Sequence, residues 1–210
     1  MPPNLFVTGT DTNVGKTVLS ALLTVALEGI YWKPVQTGSE DGTDRATVMQ
    51  LAGLPEARTI EECYCFRPPV SPHLAAREAG MRIDLRRISL SACSPSRRVI
   101  VEGAGGVLTP LNEHETMLHL IRHLGFPAVV ASRTSLGTIN HTLLTLEALR
   151  SARVETLGVV MLGPEHLENR RAIEAYGKVQ VVGHVPVIET INREALLRVF
   201  DSSFDRRFFG

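Results

Sequence analysis

The stretch that decides the fold is Leu5-Phe6-Val7-Thr8-Gly9-Thr10-Asp11-Thr12-Asn13-Val14-Gly15-Lys16-Thr17, close to the start of the chain. Its first three residues form an apolar run that predicts a buried strand, and from residue 17 to 27 apolar residues recur at helical spacing. The segment from Thr8 to Thr17 therefore connects a strand to a helix. A loop in this position directs backbone N–H groups and the positive end of a helix dipole at one point, which suits a phosphate.

The residue types in this loop support the same interpretation. Gly15 has no Cβ, so the backbone can approach a ligand closely, while Lys16 supplies a cation for β- and γ-phosphates and the Thr17 hydroxyl can bind Mg²⁺. One feature departs from the usual pattern: five residues separate Gly9 from Gly15 instead of four, so Thr10 occupies the position of the first glycine. The alternative is an ordinary strand-to-helix turn with a surface lysine.

Strand and helix patterns alternate along the rest of the chain. Strands are predicted at residues 98–102, 128–132, 157–162 and 179–184, and helices at 116–124, 138–152, 165–176 and 192–200. Such alternation predicts βαβ units and a mostly parallel sheet that is covered on both faces. We therefore predict a three-layer, doubly wound α/β fold of the P-loop NTPase type.

Composition limits the domain count and the class of partner. The 210 residues include 22 Lys and Arg against 22 Asp and Glu, and 44% are hydrophobic, which predicts a single domain over 1–210 with a charged, aromatic tail at about 201–210. Zero net charge argues against a general nucleic-acid binder. No apolar run approaches the roughly 18 residues of a membrane span, and no secretory signal pattern opens the chain. We expect a cytoplasmic protein without a nucleic-acid or membrane partner.

A second lysine follows in Tyr31-Trp32-Lys33-Pro34-Val35-Gln36-Thr37-Gly38, where a short strand ends in a loop. Ligands of open α/β sheets bind beyond the carboxyl ends of the strands, so Lys33 and Thr37 could share a crevice with Lys16. Two lysines there would stabilise an anionic substrate and the charge that develops in phosphoryl transfer. The alternative is a solvated lysine in a Pro- and Gly-containing loop.

Two acids are candidates for a metal site. Glu102 ends the β-rich run of residues 97–102 and precedes Gly103-Ala104-Gly105-Gly106, which is a position typical of the second support for nucleotide-bound Mg²⁺. Asp44 lies where a helix is expected to begin. Residue spacing leaves both open: Asp44 could be an N-cap, and Glu102 a strand-end acid facing water.

The histidines and cysteines give weaker signals. His119 and His123 are four residues apart on a predicted helix, with His114 nearby, but no Glu-containing zinc motif or Cys partner accompanies them. We interpret them as part of a solvated face. Cys63, Cys65 and Cys93 cannot all pair, and a chain of this size needs no disulfides.

Taken together, five motifs resemble the dethiobiotin synthetase family of biotin biosynthesis. They are the loop of residues 9–17, Lys33-Pro34-Val35-Gln36-Thr37-Gly38, Ser71-Pro72-His73, Val101-Glu102-Gly103-Ala104-Gly105-Gly106 and Leu136-Gly137-Thr138-Ile139-Asn140-His141. Their order matches the family from residue 5 to about 187. The loop alone is shared with many nucleotidases, whereas its combination with the Lys-Pro-Val and Val-Glu-Gly-Ala-Gly-Gly segments is much more specific.

The resemblance implies an ATP- and Mg²⁺-dependent ring closure. One amine of 7,8-diaminopelargonate captures CO2, supplied as CO2 or bicarbonate, to form a carbamate. A carbamate oxygen then takes the γ-phosphate, and the second amine attacks the carbon of this carbamic-phosphoric anhydride. Dethiobiotin, ADP and phosphate are the products.

The resemblance also implies roles for individual residues. The catalytic residues would be Lys16, Lys33, Thr12 and Thr37, and the metal ligands Thr17, Asp44 and Glu102. The nucleotide would be bound by Asn13, Val14, Gly15, Lys16, Thr17, Val18, Glu102, Gly103, Ala104, Gly105, Gly163 and Pro186. The substrate would be bound by Thr12, Lys33, Thr37, Gly106, Thr138, Ile139 and Asn140, the last three at a helix start across a homodimer interface.

The chain departs from the family pattern at two positions. Family members often carry Glu where this chain has Asn13, and commonly carry Asn-Asp where it has Leu162-Gly163. In the family that Asn reads the adenine ring, and Leu162 cannot supply its hydrogen bonds. Losing a paired base contact weakens discrimination, so we hypothesise that nucleotides other than ATP are accepted, unless backbone atoms near Gly163 or residues 184–186 compensate.

Two other functions are alternatives. Another synthetase or amidoligase on this scaffold, such as a cobyrinate diamide synthase, usually carries a glutaminase part for which 210 residues leave no room. A membrane- or DNA-positioning ATPase would carry a second lysine near residues 10–12 and an amphipathic C-terminal helix. Neither pattern is evident, although the C-terminal region contains Phe200, Phe204, Phe208 and Phe209.

Overall fold

The computed structural model describes residues 4–90 and 97–210, so Cys93 lies outside the described residues. The strands are β1 (Leu5–Gly9), β2 (Ile30–Trp32), β3 (Val35–Thr37), β4 (Thr59–Ile60), β5 (Tyr64–Phe66), β6 (Val99–Gly106), β7 (Ala128–Arg133), β8 (Thr156–Leu162) and β9 (Val181–Val185). The α-helices are α1 (Lys16–Ala26), α2 (Asp44–Ala52), α3 (Pro72–Glu78), α4 (Met117–Leu124), α5 (Thr138–Ser151), α6 (Leu167–Gly177) and α7 (Arg193–Ser203).

Seven strands form one sheet in the order β4-β2-β6-β1-β7-β8-β9, and the pairings between neighbours are parallel. The first strand therefore lies in the middle of the sheet. On one side β7, β8 and β9 follow it outward in chain order, and on the other side β6 is inserted between β1 and β2. In an open parallel sheet this reversal of strand order leaves a crevice at the carboxyl ends of the central strands. The loop of residues 10–15 begins at that point because it follows β1 directly.

The alternation of side chains along the strands separates two cores. Phe6 faces a core shared with helices α3 to α6, whereas Leu5 and Val7 face a core shared with α1, α2 and α7. Such alternation on buried strands is expected of a parallel sheet covered on both faces. The three-layer, doubly wound architecture predicted from the sequence is confirmed.

Two elements differ from the sequence-based expectation. A second, two-stranded parallel sheet pairs β3 with β5 and lies outside the main sheet. Strand β6 does not end at Glu102 but continues to Gly106, and after an irregularity in the ladder Gly9 pairs with Gly106. The glycines there continue the strand because β1 offers it a partner.

The C-terminal region is packed onto the body of the protein and is not a free tail. Helix α7 continues to Ser203, and Phe200, Phe204 and Phe209 are buried together beside β9. The Arg98 guanidinium donates a 2.6 Å hydrogen bond to the Phe209 carbonyl. Within residues 4–90 and 97–210, none of the helices combines the length and apolarity that crossing a membrane requires.

Candidate active site

Most of the residues singled out from the sequence line one cavity of about 840 Å³ at the carboxyl edge of the sheet. The loop after β1, the segment from β3 to α2, the middle of β6 and the residues before α3 enclose it. The predicted residues that line it are Thr12, Asn13, Gly15, Lys16, Thr17, Val18, Lys33, Thr37, Asp44, Glu102, Ala104 and Gly105. The chain contains three lysines, and two of them are in this cavity.

The loop after β1 has the backbone geometry of a ligand cradle. Asn13 and Gly15 adopt positive φ angles of 58° and 96°, and Gly15 is the N-cap of α1. A Cβ at Gly15 would lie 2.7 Å from the Leu162 side chain, so only glycine fits there without a shift. The helix dipole of α1 therefore points into the cavity through this loop.

Lys16 is buried in the cavity wall and is not held by an acid. Its Nζ donates a 2.9 Å hydrogen bond to the Asp11 carbonyl. Burial lowers the pKa of the Lys16 ammonium, and the negative charge of Glu102 opposes this shift without reversing it. Because burial disfavours its charge, Lys16 would gain from an anion in the cavity.

A compact cluster of charges surrounds the Thr17 hydroxyl. Thr17 Oγ1 lies 3.1 Å from Asp44 Oδ1 and 3.0 Å from Glu102 Oε1, and its single proton can serve one of them at a time. Lys33 Nζ forms an ion pair with Asp44 Oδ2 and lies 3.4 Å from Glu102 Oε1. We call Lys16, Thr17, Lys33, Asp44 and Glu102 the charged cluster.

Inside the charged cluster, the paired charges have a larger effect on the pKa values of Lys33 and Asp44 than burial has. Burial alone would lower the pKa of Lys33, but Glu102 and Asp44 raise it above its ordinary value. Burial alone would raise the pKa of Asp44, but Lys33 lowers it, helped by the Thr17 and Gln36 hydrogen bonds. Lys33 is therefore not the solvated lysine of the alternative interpretation, because it is 7% exposed and paired with two acids.

Local sequence explains how Asp44 reaches this cluster. Thr43 takes the N-cap position of α2, with its hydroxyl accepting from the Ala46 amide at 3.2 Å. Asp44 is therefore the first helical residue and its carboxylate is not used as a cap. Gln36 holds this turn in place because its side-chain carbonyl accepts from the Asp44 amide at 3.1 Å. The N-cap interpretation of Asp44 was wrong by one residue.

Glu102 is held inside the protein and does not face water, because it is the fourth residue of β6 and only 1% exposed. Its Oε2 accepts a 2.9 Å hydrogen bond from the Tyr31 hydroxyl. Tyr31 was missed in the sequence analysis. The register could have pointed to it, since Tyr31 pairs with Ile100, which is on the same face of β6 as Glu102.

The oxygen atoms around Thr17 fit a magnesium ion. A hydroxyl and two carboxylates are the hard ligands that Mg²⁺ prefers, and Mg²⁺ usually completes its shell with water and substrate phosphates. Among the residues that the structure describes, no group of three or more His, Cys, Asp or Glu side chains forms a metal site. Two acids and one hydroxyl therefore suit a metal that arrives with a nucleotide better than a resident ion.

The remaining candidate residues do not line this cavity. Gly103 faces the opposite core, where a Cβ would lie 2.9 Å from the Phe6 ring. Gly106 lines a second cavity of about 400 Å³ together with His141 and Leu144 of α5. The Val14 side chain is 4% exposed beneath the loop.

The backbone amide and the side-chain hydroxyl of Thr138, at the start of α5, form hydrogen bonds within the chain. Its amide donates to the Ser135 carbonyl at 3.1 Å, and its hydroxyl lies 2.7 Å from Ser132 Oγ. Ile139 is half-buried and Asn140 is exposed beside it.

Gly163 and Pro186 follow the carboxyl ends of β8 and β9. The Gly163 amide donates to the Val185 carbonyl at 3.0 Å, and the Gly163 carbonyl lies 2.8 Å from His184 Nε2. The neighbouring Leu162 packs against Gly15, as described above, so this corner of the molecule adjoins the phosphate loop.

Comparison with solved structures gives the fold. The chain superposes on a ParA family ATPase from Chlorobium tepidum with a TM-score of 0.59 and 12% identity, over 96% of this chain and 93% of that one. For the septum site-determining protein MinD from Pyrococcus horikoshii, complexed with Mg-ADP, the TM-score is 0.56 and the identity 14%, over 94% and 86% of the two chains. At these identities the likeness concerns the fold alone.

Comparison with protein sequences gives the family. A family model described as an AAA domain matches residues 3–195. An ATP-dependent dethiobiotin synthetase BioD of Rhodopseudomonas palustris (strain BisA53) is 44% identical over 98% of this chain and 95% of its own length. The protein of that name from Nitrobacter hamburgensis is 45% identical over 97% of this chain and 95% of its own length. With this identity along nearly its whole length, the chain belongs to the ATP-dependent dethiobiotin synthetase family.

Proposed function

We propose that this chain closes the ureido ring of dethiobiotin from 7,8-diaminopelargonate and CO2, driven by a magnesium-bound nucleoside triphosphate. The observation that carries this proposal is the placement of Lys16 and Lys33 in one cavity with the Thr17, Asp44 and Glu102 oxygens. The reaction brings a carbamate and a triphosphate together, and both are anions. Two buried cations in the same cavity offset the repulsion between them.

Residues in different parts of the cavity would have different roles in the reaction. Lys16 and the α1 N-terminus would hold the β- and γ-phosphates, because they are at the phosphate loop. Lys33, on the β2 side, would face the carbamate oxygen that attacks phosphorus. Thr12 and Thr37 also line the cavity and would donate to the carbamate or the transferred phosphoryl group.

The metal contribution is electrostatic. Thr17, Asp44 and Glu102 would hold Mg²⁺, which neutralises charge on the β- and γ-phosphates when it is bound. A side chain with an exposed nucleophile is not needed, since the substrate supplies both amines. After the carbamate oxygen takes the phosphoryl group, the second amine attacks the carbamate carbon and the C–O bond to phosphate breaks. Each substrate amine releases one proton to solvent as its N–C bond forms, and phosphate leaves with the electron pair of the broken C–O bond.

The test is phosphate release with each component omitted in turn. We expect release to require nucleotide, Mg²⁺, bicarbonate and diaminopelargonate together, and mass spectrometry to detect dethiobiotin. Lys16→Ala and Lys33→Ala should abolish or severely reduce both signals. Full activity of the Lys16→Ala protein, or phosphate release without diaminopelargonate at the full rate, would refute the proposal.

A positioning ATPase is the competing function, because ParA and MinD proteins share the fold. In this chain Phe204 and Phe209 are 8% and 3% exposed, so their rings do not form an apolar surface for a membrane. The loop also has no second lysine at residues 10–12. Nucleotide-dependent sedimentation with anionic liposomes or DNA, without dethiobiotin formation, would favour this competitor.

We also propose that base selectivity is relaxed. Leu162 offers no hydrogen bond to a base, and the adjacent Gly163 amide and carbonyl are bound by Val185 and His184. The amide and the carbonyl of Gly163 are therefore already engaged within the chain. Turnover with CTP, GTP and UTP should approach turnover with ATP, and Leu162→Asn should increase the preference for ATP. A strong ATP preference of the unmodified protein would contradict this.

The substrate site is proposed to be completed by a second copy of the chain. Leu108 and Leu144, exposed by 65% and 62%, line the smaller cavity together with Gly106, and Leu136, exposed by 102%, is in the turn before α5. Such exposed apolar side chains favour a face that a partner covers. In that dimer Ile139 and Asn140 at the start of α5, together with Thr138, would meet the substrate's tail carboxylate. Light scattering should find a dimer that Leu144→Asp dissociates with loss of turnover, whereas Tyr176→Asp on α6 should change neither.

A further inference from the structure

Tyr31 is a buried titratable residue for which the proposed reaction has no use. It lies on β2 and its side chain is fully buried, in the core beneath α1 and α2. Its hydroxyl donates a 2.9 Å hydrogen bond to Glu102 Oε2. Within residues 4–90 and 97–210, no other side chain donates to that oxygen.

The two oxygens of Glu102 are therefore divided between two environments. Oε2 points into the apolar core and is bound by Tyr31, whereas Oε1 points to the cavity, 3.0 Å from Thr17 Oγ1 and 3.4 Å from Lys33 Nζ. A carboxylate held at one oxygen has one orientation. Without such a donor, Oε2 would be a charged atom in a dry environment, which favours rotation of the whole group.

We propose that Tyr31 is a positioning residue of the magnesium site, which fixes Glu102 so that Oε1 alone faces the metal and nucleotide. The inference rests on the proposed function, since that assigns Glu102 to the metal. Removing a side chain that hydrogen-bonds a metal ligand typically changes metal affinity 10- to 100-fold.

The experiment measures ADP binding by calorimetry with MgCl2 and, separately, with EDTA. The ratio of the two dissociation constants gives the contribution of the metal. For Tyr31→Phe, which removes one oxygen atom, we expect this ratio to fall about 10-fold or more. Binding in EDTA should stay within about twofold of the parent, because Lys16 and the phosphate loop are unchanged.

Two further variants separate positioning from packing. Tyr64→Phe also removes a buried tyrosine hydroxyl, one that accepts from the Asp84 amide at 3.0 Å on the opposite side of the sheet, and its ratio should equal that of the parent. Incorporating 4-fluorophenylalanine at position 31 fills the space of the hydroxyl without donating a hydrogen bond. It should reproduce the loss seen with Phe, and it serves as the test if the Phe variant does not fold.

The outcomes are distinct. An unchanged ratio in both position-31 variants, or an equal loss with MgCl2 and EDTA, would overturn the positioning role while leaving the proposed function intact. A parent protein whose ADP affinity does not depend on MgCl2 would overturn the proposed metal site, and the role of Tyr31 with it. A loss confined to MgCl2 supports the inference.

Discussion

The charged cluster and the C-terminal aromatic cluster lie on the same face of the sheet, and both are buried, but different forces hold them. In the charged cluster Lys33 is paired with Asp44 and Glu102, so the loss of one member leaves another charge without its partner. The aromatic cluster is formed by Phe200, Phe204 and Phe209, whose ring centroids are 5.2 to 6.0 Å apart. It contributes through apolar area and close packing.

This difference predicts which substitutions should change turnover and which should change only the stability of the folded state. Changes in the charged cluster should affect turnover first, because its members face the cavity. Changes in the aromatic cluster should lower the free energy of unfolding without altering the kinetic constants. Measuring both quantities for each variant tests this division.

The largest effect is expected for Lys33→Met. Turnover should fall roughly 100- to 1,000-fold, because the substitution removes a cation that stabilises charge in the transition state. The free energy of unfolding should fall by about 3 kcal/mol in the absence of ligand, because Asp44 and Glu102 lose their counter-charge. Mg²⁺ with ADP should stabilise this variant more than the parent. Lys178→Met, in an exposed turn, is the control. Only a small loss of turnover in Lys33→Met would contradict the expectation that the charged cluster determines turnover.

Phe204→Ala should have the largest effect on stability alone. Phe204 packs against Phe200 and Phe209, and truncating a buried phenylalanine typically costs about 3–5 kcal/mol. Denaturant unfolding measures the loss, and KM and kcat of the folded fraction should match the parent. Phe208→Ala should cost less because Phe208 is only half-buried. A changed KM would show that the two clusters are coupled.

Gly183→Ala probes the same cluster from β9. A Cβ at this position would lie 2.5 Å from the Phe204 ring, so the ring must move. Overpacking of this kind typically costs about 1–3 kcal/mol. In the Phe204→Ala background the added methyl group has space, so the cost should nearly disappear. Equal costs in both backgrounds would mean that the contact with Phe204 is not the cause.

The charged cluster also predicts a pH dependence of stability. Lys33 lowers the pKa of Asp44 below its ordinary value of 3.8, against the opposing effect of burial. A carboxyl with a lowered pKa in the folded state stabilises the fold above its unfolded pKa, and this stabilisation is lost as the pH falls through the folded pKa. Stability should therefore fall as the pH drops below about 4, and Asp44→Asn should flatten this part of the curve. If stability depended on pH in the same way in the parent and in Asp44→Asn, the ion pair between Lys33 and Asp44 would be contradicted.

The smallest effect is expected for His119→Ala, outside both clusters. His119 Nδ1 accepts a 3.0 Å hydrogen bond from the Thr116 amide at the start of α4 and is exposed. Loss of this cap should cost about 0.5–1 kcal/mol of stability. Turnover should equal that of the parent. A decrease would contradict the interpretation of these histidines as part of a solvated face.

The fold and most of the cavity could be predicted because their signals are local. Strand, loop and helix follow one another between Leu5 and Ala26, and α5 begins at Thr138 as its pattern predicts. Lys16 and Thr17 could be found because α1 begins with them, directly after the loop that follows β1. Glu102 could be found because it is the carboxylate that follows the apolar residues 99–101 of β6.

The rest could not be found because it depends on contacts between distant segments. Tyr31 has the composition of an ordinary core residue, and only the register of β2 against β6 brings it to Glu102. The sequence of the C-terminal region is charged and aromatic, and its burial depends on Gly183, about 20 residues earlier, leaving room for Phe204. The pairing of β3 with β5 likewise joins segments that are separated by α2.

The ion pairs of Lys33 have a practical consequence for handling the protein. Because the ammonium already pairs with both the Asp44 and the Glu102 carboxylate, we expect the fold not to depend on a bound divalent cation. Dialysis against a chelator should leave a native molecule that regains full turnover as soon as magnesium is restored. Zinc-dependent domains behave in the opposite way, since they unfold when their ion is stripped away.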